Sequence, residues 1–216
     1  MSFYRRYLEA QRLALESIKV TQAVGVQLNP EEGFECFCAM SKGVQESGGK
    51  QYLIGNGASA AFADHMALDW TKNGGVPTMS FASAALLTAM GNDLGFEEVF
   101  SAPLSWYAKR GDLLVTISSS GNSENILRAI DAARTLGMSV VTLSGLKPDN
   151  RSRQLGDLNF YVPAKTYGVV ECAHQLLLHL WLDKFTDVSE WNSEGYQDMR
   201  CLDSVRELSV RQSGAE

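Results

Sequence analysis

Two strand-turn-helix units constrain this chain more than any other feature. In the first, Tyr52-Leu-Ile-Gly-Asn-Gly-Ala-Ser59, a short apolar run enters a glycine-bracketed turn with a serine at the mouth of a helix. In the second, the apolar run Leu113–Ile117 leads through Ser118-Ser-Ser-Gly-Asn-Ser123 into the helical pattern of Glu124–Leu136. Continuous apolar strands alternating with helices imply an α/β fold, a mostly parallel sheet with helices on both faces. Ligands of such sheets sit at the carboxyl ends of the strands, where both turns fall. Free backbone N–H groups and the positive end of a helix dipole make each turn a place to hold a phosphate.

The rest of the chain supplies the elements around these units. Residues 3–28 lack proline and carry an apolar stripe through Tyr4, Leu8, Leu15 and Ile18, so they read as one long amphipathic helix. Asn29-Pro-Glu-Glu reads as the start of a second helix, running to about Glu46. Two helices ahead of the first strand leave an apolar face for an oligomer contact. The first strand is Gln51–Gly55, followed by a helix over 59–73, a strand over 77–81 and a helix over 82–90. Gly91-Asn-Asp-Leu-Gly95 reads as a turn, with a helix over 96–109 beyond it. Strands over 139–143 and Leu158–Val162 complete the sheet, and a long apolar helix follows at Tyr167–Phe185. The expected organisation is N-terminal helices over 1–48, an α/β core over 49–186 and a partly helical tail over 187–216, with helical potential at 199–210.

Composition narrows the class. The 216 residues suffice for one well-buried domain with appended helices, and no apolar run reaches bilayer length. The opening Met-Ser-Phe-Tyr-Arg-Arg lacks the apolar core of a signal peptide, and Cys36, Cys38, Cys172 and Cys201 form no regular framework. Together these point to a cytoplasmic protein with reduced thiols. A net charge of −6 argues against nucleic acid as a partner, and a membrane is not expected either. Neither turn is a Walker loop or a dinucleotide GxGxxG, so no nucleotide cofactor is expected.

The polar residues of the helices are the candidates for chemistry. His65 and Asp69 lie four residues apart on one helix face. The plainer reading of that pair is a surface ion pair. Glu171, His174 and His179 interrupt an apolar helix, where such groups are costly to bury unless paired, liganded or at an interface. For His174 a hydrogen-bonded core histidine is the better reading. Two imidazoles and two carboxylates would suit Zn²⁺ or another divalent ion, although Glu171 and His179 are roughly 12 Å apart along a straight helix. An acid/base pair of Asp69 and His179 without metal stays open. Asp93 is a further candidate, or simply a turn-forming aspartate.

Taken together these motifs resemble the sugar isomerase (SIS) domain family, in its phosphoheptose isomerase branch. Gly55-Asn-Gly-Ala-Ser59 resembles that branch's Gly-Asn-Gly-Gly-Ser. Gly91-Asn-Asp-Leu-Gly-Phe resembles its Gly-Asn-Asp-Phe-Gly-Phe, and Ser118–Ser123 its Ser-Thr-Ser-Gly-Asn-Ser. The likeness extends to about Phe185. It implies a five-stranded parallel sheet sandwiched by helices, flavodoxin-like or Rossmann-like, with an N-terminal helical extension. It also implies a homotetramer packed through the N-terminal helices, with sites near subunit boundaries. Sugar phosphate would be held by Asn56, Gly57, Ala58, Ser59, Ser118, Ser119, Ser120 and Ser123, with Asn92, Asp93 and Glu171 at the sugar. His65, Asp69, Glu171 and His179 would hold zinc, and Asp69 and His179 would transfer protons.

Two residues depart from the family pattern. Asp69 stands where the branch has Glu, and Glu171 where it has Gln, which shortens the base and adds negative charge. The resulting expectation is an aldose–ketose isomerase that converts sedoheptulose 7-phosphate to a heptose 7-phosphate through an enediol(ate), supplying surface polysaccharide. The alternative is a non-catalytic SIS protein that binds a sugar phosphate or a protein partner as a regulator.

Overall fold

The computed structural model describes residues 1–188. The expected tail helix over 199–210, with Cys201, lies outside them. Within them the chain runs α1 (Phe3–Glu16), β1 (Lys19–Gln22), β2 (Gln27–Leu28), α2 (Pro30–Glu46), β3 (Gln51–Gly55), α3 (Ala58–Lys72) and β4 (Thr78–Ser80). It continues through α4 (Ala84–Asp93), α5 (Ser101–Tyr107), β5 (Leu113–Ser118), α6 (Glu124–Leu136), β6 (Ser139–Gly145), β7 (Leu158–Val162) and α7 (Tyr167–Phe185).

These strands form one sheet in the order β2-β1-β7-β6-β5-β3-β4. The run from β7 to β4 is parallel throughout, which is the expected five-stranded core. The expectation of five strands is corrected to seven, because β1 and β2 add an antiparallel hairpin on β7. Those two strands occupy what reads in the sequence as the end of the first helix. Helix α1 stops at Ser17, since Ile18, Val20, Thr21 and Val26 are β-branched and stiff against a helical turn. Val20, paired with Phe160, is wholly buried there.

A second boundary moves as well. Helix α4 runs on through Gly91, Asn92 and Asp93 and ends at Leu94, where Gly95 takes φ +97°. The interior glycine weakens a helix without ending it. The stop comes at the glycine that adopts the left-handed conformation.

Alternation along the strands sorts the core into two layers. Leu53, Val115, Ile117, Val141 and Leu143 face α2, α3 and α7, whereas Tyr52, Ile54, Leu114 and Val140 face α5 and α6, with α4 at that layer's margin. Asn29 and Glu32 close a reciprocal capping box at the start of α2, which holds Phe34 and Phe37 on the sheet. The most consequential packing is aromatic. Trp181 of α7 stacks on Phe37 with centroids 3.8 Å apart and meets Trp70 of α3 at 4.1 Å. Its indole Nε1–H donates to Ser41 Oγ at 3.1 Å. All three rings are buried, each worth roughly 1.5–3 kcal/mol of apolar burial, so α2, α3 and α7 have little freedom to slide.

Candidate active site

Strands β3 and β5 are parallel neighbours, with Ile54 opposite Thr116 and Gly55 opposite Ile117. From β3 the chain moves outward to β4, then returns to the other side of β3 as β5, so their carboxyl ends flank the point where the strand order reverses. A cleft of about 200 Å³ lies at that point. One wall comes from Asn56 and Ser59, a second from Ser118, Ser119, Ser120 and Ser123, and Tyr167 and Glu171 of α7 complete it.

The turns are built for an anion. Gly57, with φ +58°, is the N-cap of α3, and Ser123 is the N-cap of α6; neither helix start has a side-chain cap, so Ala58 and Glu124 open their first turns without one. Gly121 has φ +62° and donates its N–H to Ser118 at both the hydroxyl, 3.2 Å, and the carbonyl, 3.0 Å. A β-carbon there would lie 2.1 Å from Asn150 Oδ1, so the turn tolerates no side chain. Ser119 Oγ is buried without a hydrogen-bond partner, an unusual state for a hydroxyl beside a cleft. The turns are also tied to each other. Asn56 Nδ2 donates to Asn125 Oδ1 at 3.0 Å, and Asn125 Nδ2 donates to Asn56 Oδ1 at 2.9 Å. Asn125 was not among the residues singled out in the sequence. Its signal there is a polar residue at the head of a run, Ile126 to Ile130, whose face is otherwise core.

A second cluster forms on the flanks of α3 and α7. The Trp70–Trp181 contact brings Asp69 and His65 of α3 against His179 of α7. One ligand atom of each lies within 4.8 Å of the other two. His65 Nε2 is 3.1 Å from Asp69 Oδ2, and the imidazoles of His65 and His179 meet edge to face at 5.4 Å. Two imidazoles and one carboxylate at this spacing suit a divalent ion such as zinc, with positions left for substrate or water. Glu171 is not in this group. Eight residues from His179, it lines the serine cleft instead, so the four-residue metal set expected from sequence reduces to three within one chain.

The remaining candidates fall elsewhere. Asn92 and Asp93 are exposed at the end of α4, hydrogen-bonded to each other at 2.8 Å, and are not part of the cleft wall. His174 is fully buried and donates from Nε2 to the Ser144 carbonyl at 3.1 Å, as a core histidine should. Burial pulls its pKa down to about 4, so it stays neutral at physiological pH.

A strand-reversal cleft fed by two serine-bearing helix starts has the form of an anion site on an α/β sheet, and comparison with known proteins places the fold in a family. A family model described as the SIS domain matches residues 31–145, more than half of the 216-residue chain, and the chain belongs to that family. More particularly, it is similar to the phosphoheptose isomerase of Campylobacter concisus, 39% identical over 151 residues, which span 67% of this chain and 79% of that relative. The phosphoheptose isomerase of Rhodospirillum rubrum is 38% identical over 140 residues, spanning 62% of this chain and 74% of the relative. Among solved structures, the phosphoheptose isomerase of Francisella tularensis superposes with a TM-score of 0.72 at 26% identity. That alignment covers 87% of this chain and 96% of the other. These relatives place the chain among the isomerases.

Proposed function

We propose that this isomerase interconverts the aldose and ketose forms of a phosphorylated seven-carbon sugar, sedoheptulose 7-phosphate and the corresponding heptose 7-phosphate. The observation that carries this reading is that α3 and α7 each join the serine cleft to the His65–Asp69–His179 cluster. From Ser59 to His65 is six residues, roughly 9 Å of helix rise, and from Glu171 to His179 is eight, roughly 12 Å. An extended seven-carbon chain places C1 and C2 on the order of 8–10 Å from its phosphorus at ordinary single-bond lengths. A triose phosphate reaches only about half as far.

With the phosphate held by the two turns, remote binding energy goes into orienting the reacting carbons. Asp69 takes the proton from C2 of the aldose, and the electrons form the C1–C2 double bond of the enediol as O1 gains a proton from His179. Asp69 then returns its proton to C1 while His179 recovers one from O2, leaving the C2 carbonyl of the ketose. His65, 3.1 Å from Asp69, fixes the orientation of that carboxylate. His65, Asp69 and His179 are also the residues that would hold a zinc ion, which would supply Lewis-acid polarisation of the sugar's reacting oxygens. Glu171, at the cleft, accepts hydrogen bonds from sugar hydroxyls.

We place this reaction in the cytoplasm, in heptose supply for a surface polysaccharide. We further place it in a homotetramer that uses α1, a helix that buries only Ala14 and exposes Phe3, Tyr4 and Leu8. No helix of the described residues is long and apolar enough to cross a membrane.

The test is hydrogen exchange at C1 and C2 of sedoheptulose 7-phosphate in D₂O, followed by NMR with and without added Zn²⁺. Deuterium incorporation with aldose formation is the expected result. A protein that binds the sugar phosphate and exchanges neither position would refute the isomerase reading.

A further inference from the structure

The phosphate-binding turns come from elements far apart in sequence, and a single dianion can use both helix starts only if their separation is fixed. Close strand pairing sets the spacing of the backbone up to Gly55 and Ile117, but the first residues of α3 and α6 lie beyond the last paired positions. What spans that gap is the reciprocal amide pair of Asn56 and Asn125, with hydrogen bonds of 3.0 and 2.9 Å. Asn125 is 3% exposed, on the second residue of α6, and Asn56 directly precedes the N-cap of α3.

We propose that Asn125 is a positioning residue, which through Asn56 sets the distance between the two helix starts that share the phosphate. This rests on the reading of the cleft as a phosphate site. It also revises the role expected of Asn56. Both polar atoms of its amide are engaged by Asn125, so its principal work is to brace the turn, and the ligand is met by the N–H groups and hydroxyls that the brace aligns. An amide pair suits this task because each partner donates and accepts once, which fixes both distance and plane. Losing Asn56 leaves the buried Asn125 amide unpaired, and losing Asn125 frees the half-buried Asn56 amide to turn toward the cleft, so in either case the turns shift to find water or new partners.

The experiment is calorimetric titration of the full chain with inorganic phosphate, alongside KM and kcat for the sugar phosphate, in the wild type, Asn125→Ala, Asn56→Ala and the double variant. Circular dichroism at the working temperature verifies folding. Asn125→Ala should weaken phosphate binding roughly tenfold and raise KM by a similar factor while kcat falls less. The double variant should lose no more than the worse single variant, because the pair acts as a unit. Ser41→Ala, which removes the hydrogen bond to Trp181, serves as a control: it should lower the melting temperature without moving the phosphate affinity.

Should Asn125→Ala not fold, Asn125→Ser, which keeps a polar group but cannot form the reciprocal pair, gives the same reading. Wild-type phosphate affinity in a folded variant, or strictly additive losses in the double variant, would overturn the proposal. A wild-type chain that binds neither phosphate nor sugar phosphate would instead overturn the phosphate reading of the cleft, and this inference with it.

Discussion

The serine cleft and the His65–Asp69–His179 cluster share helices α3 and α7, yet they are made in different ways. The cleft is a backbone construction: two helix starts without side-chain caps, a Gly121 turn closed against Asn150, and an amide pair between the turns. The cluster is a side-chain construction, on helix flanks whose register is held by Trp70, Trp181 and Phe37 below it. In the cleft, conformation is the chemistry, so small changes of shape should cost binding. In the cluster, scaffold and chemistry are separable. A residue can be changed there without disturbing the fold, and the fold can be weakened without touching a reacting group.

That separation can be broken or sharpened experimentally. The largest effect is expected from Trp181→Ala, which should cost about 3–5 kcal/mol in chemical denaturation, because it opens a cavity between the Phe37 and Trp70 rings. Phosphate affinity of the fraction that remains folded should suffer less than turnover. If both fall together, cleft and cluster are one mechanical unit. Next is Asp69→Asn, expected to lower kcat on the order of a thousandfold, about 4 kcal/mol of transition-state stabilisation, with the melting temperature and phosphate affinity unchanged. Retained turnover in that variant would remove Asp69 from the chemistry.

His174 sits on α7 between the two regions and gives the third test. Its pKa of about 4 lies below the ordinary 6.5, because burial disfavours the imidazolium. Between those values the unfolded chain binds a proton that the folded chain refuses. Stability therefore holds above pH 6.5 and is lost as pH falls toward 4, by up to about 3 kcal/mol. Urea midpoints measured from pH 7 to 4.5 should fall more steeply in the wild type than in His174→Gln; equal slopes would contradict this. The smallest effect is expected from Ser120→Ala, about 1 kcal/mol in phosphate binding, roughly fivefold in KM with little change in kcat.

The parallel core was legible because its strands are continuous apolar runs, and helices α2, α6 and α7 because proline, capping residues and periodicity mark their ends. The serine turns were legible because Gly57 and Gly121 have conformations that other residues adopt reluctantly. What the sequence concealed depended on contacts between distant segments. The β1–β2 hairpin looked helical because its apolar spacing continued that of α1, and only pairing with β7 decides in favour of strand. Asn125 looked like an ordinary polar position until its partner, 69 residues earlier, came into view. Glu171 looked like a metal ligand by analogy, yet the rise of its own helix carries it to the cleft.

The β1–β2 hairpin has one more consequence. A sheet with open borders invites strands from other molecules, and this one is guarded at both. The hairpin covers β7 and ends in a strand of two residues, while the opposite border, β4, has only three. Neither offers a ladder long enough to template another chain. Among the described residues, helix surfaces are therefore the faces that another chain could meet without threatening the sheet that holds the cleft.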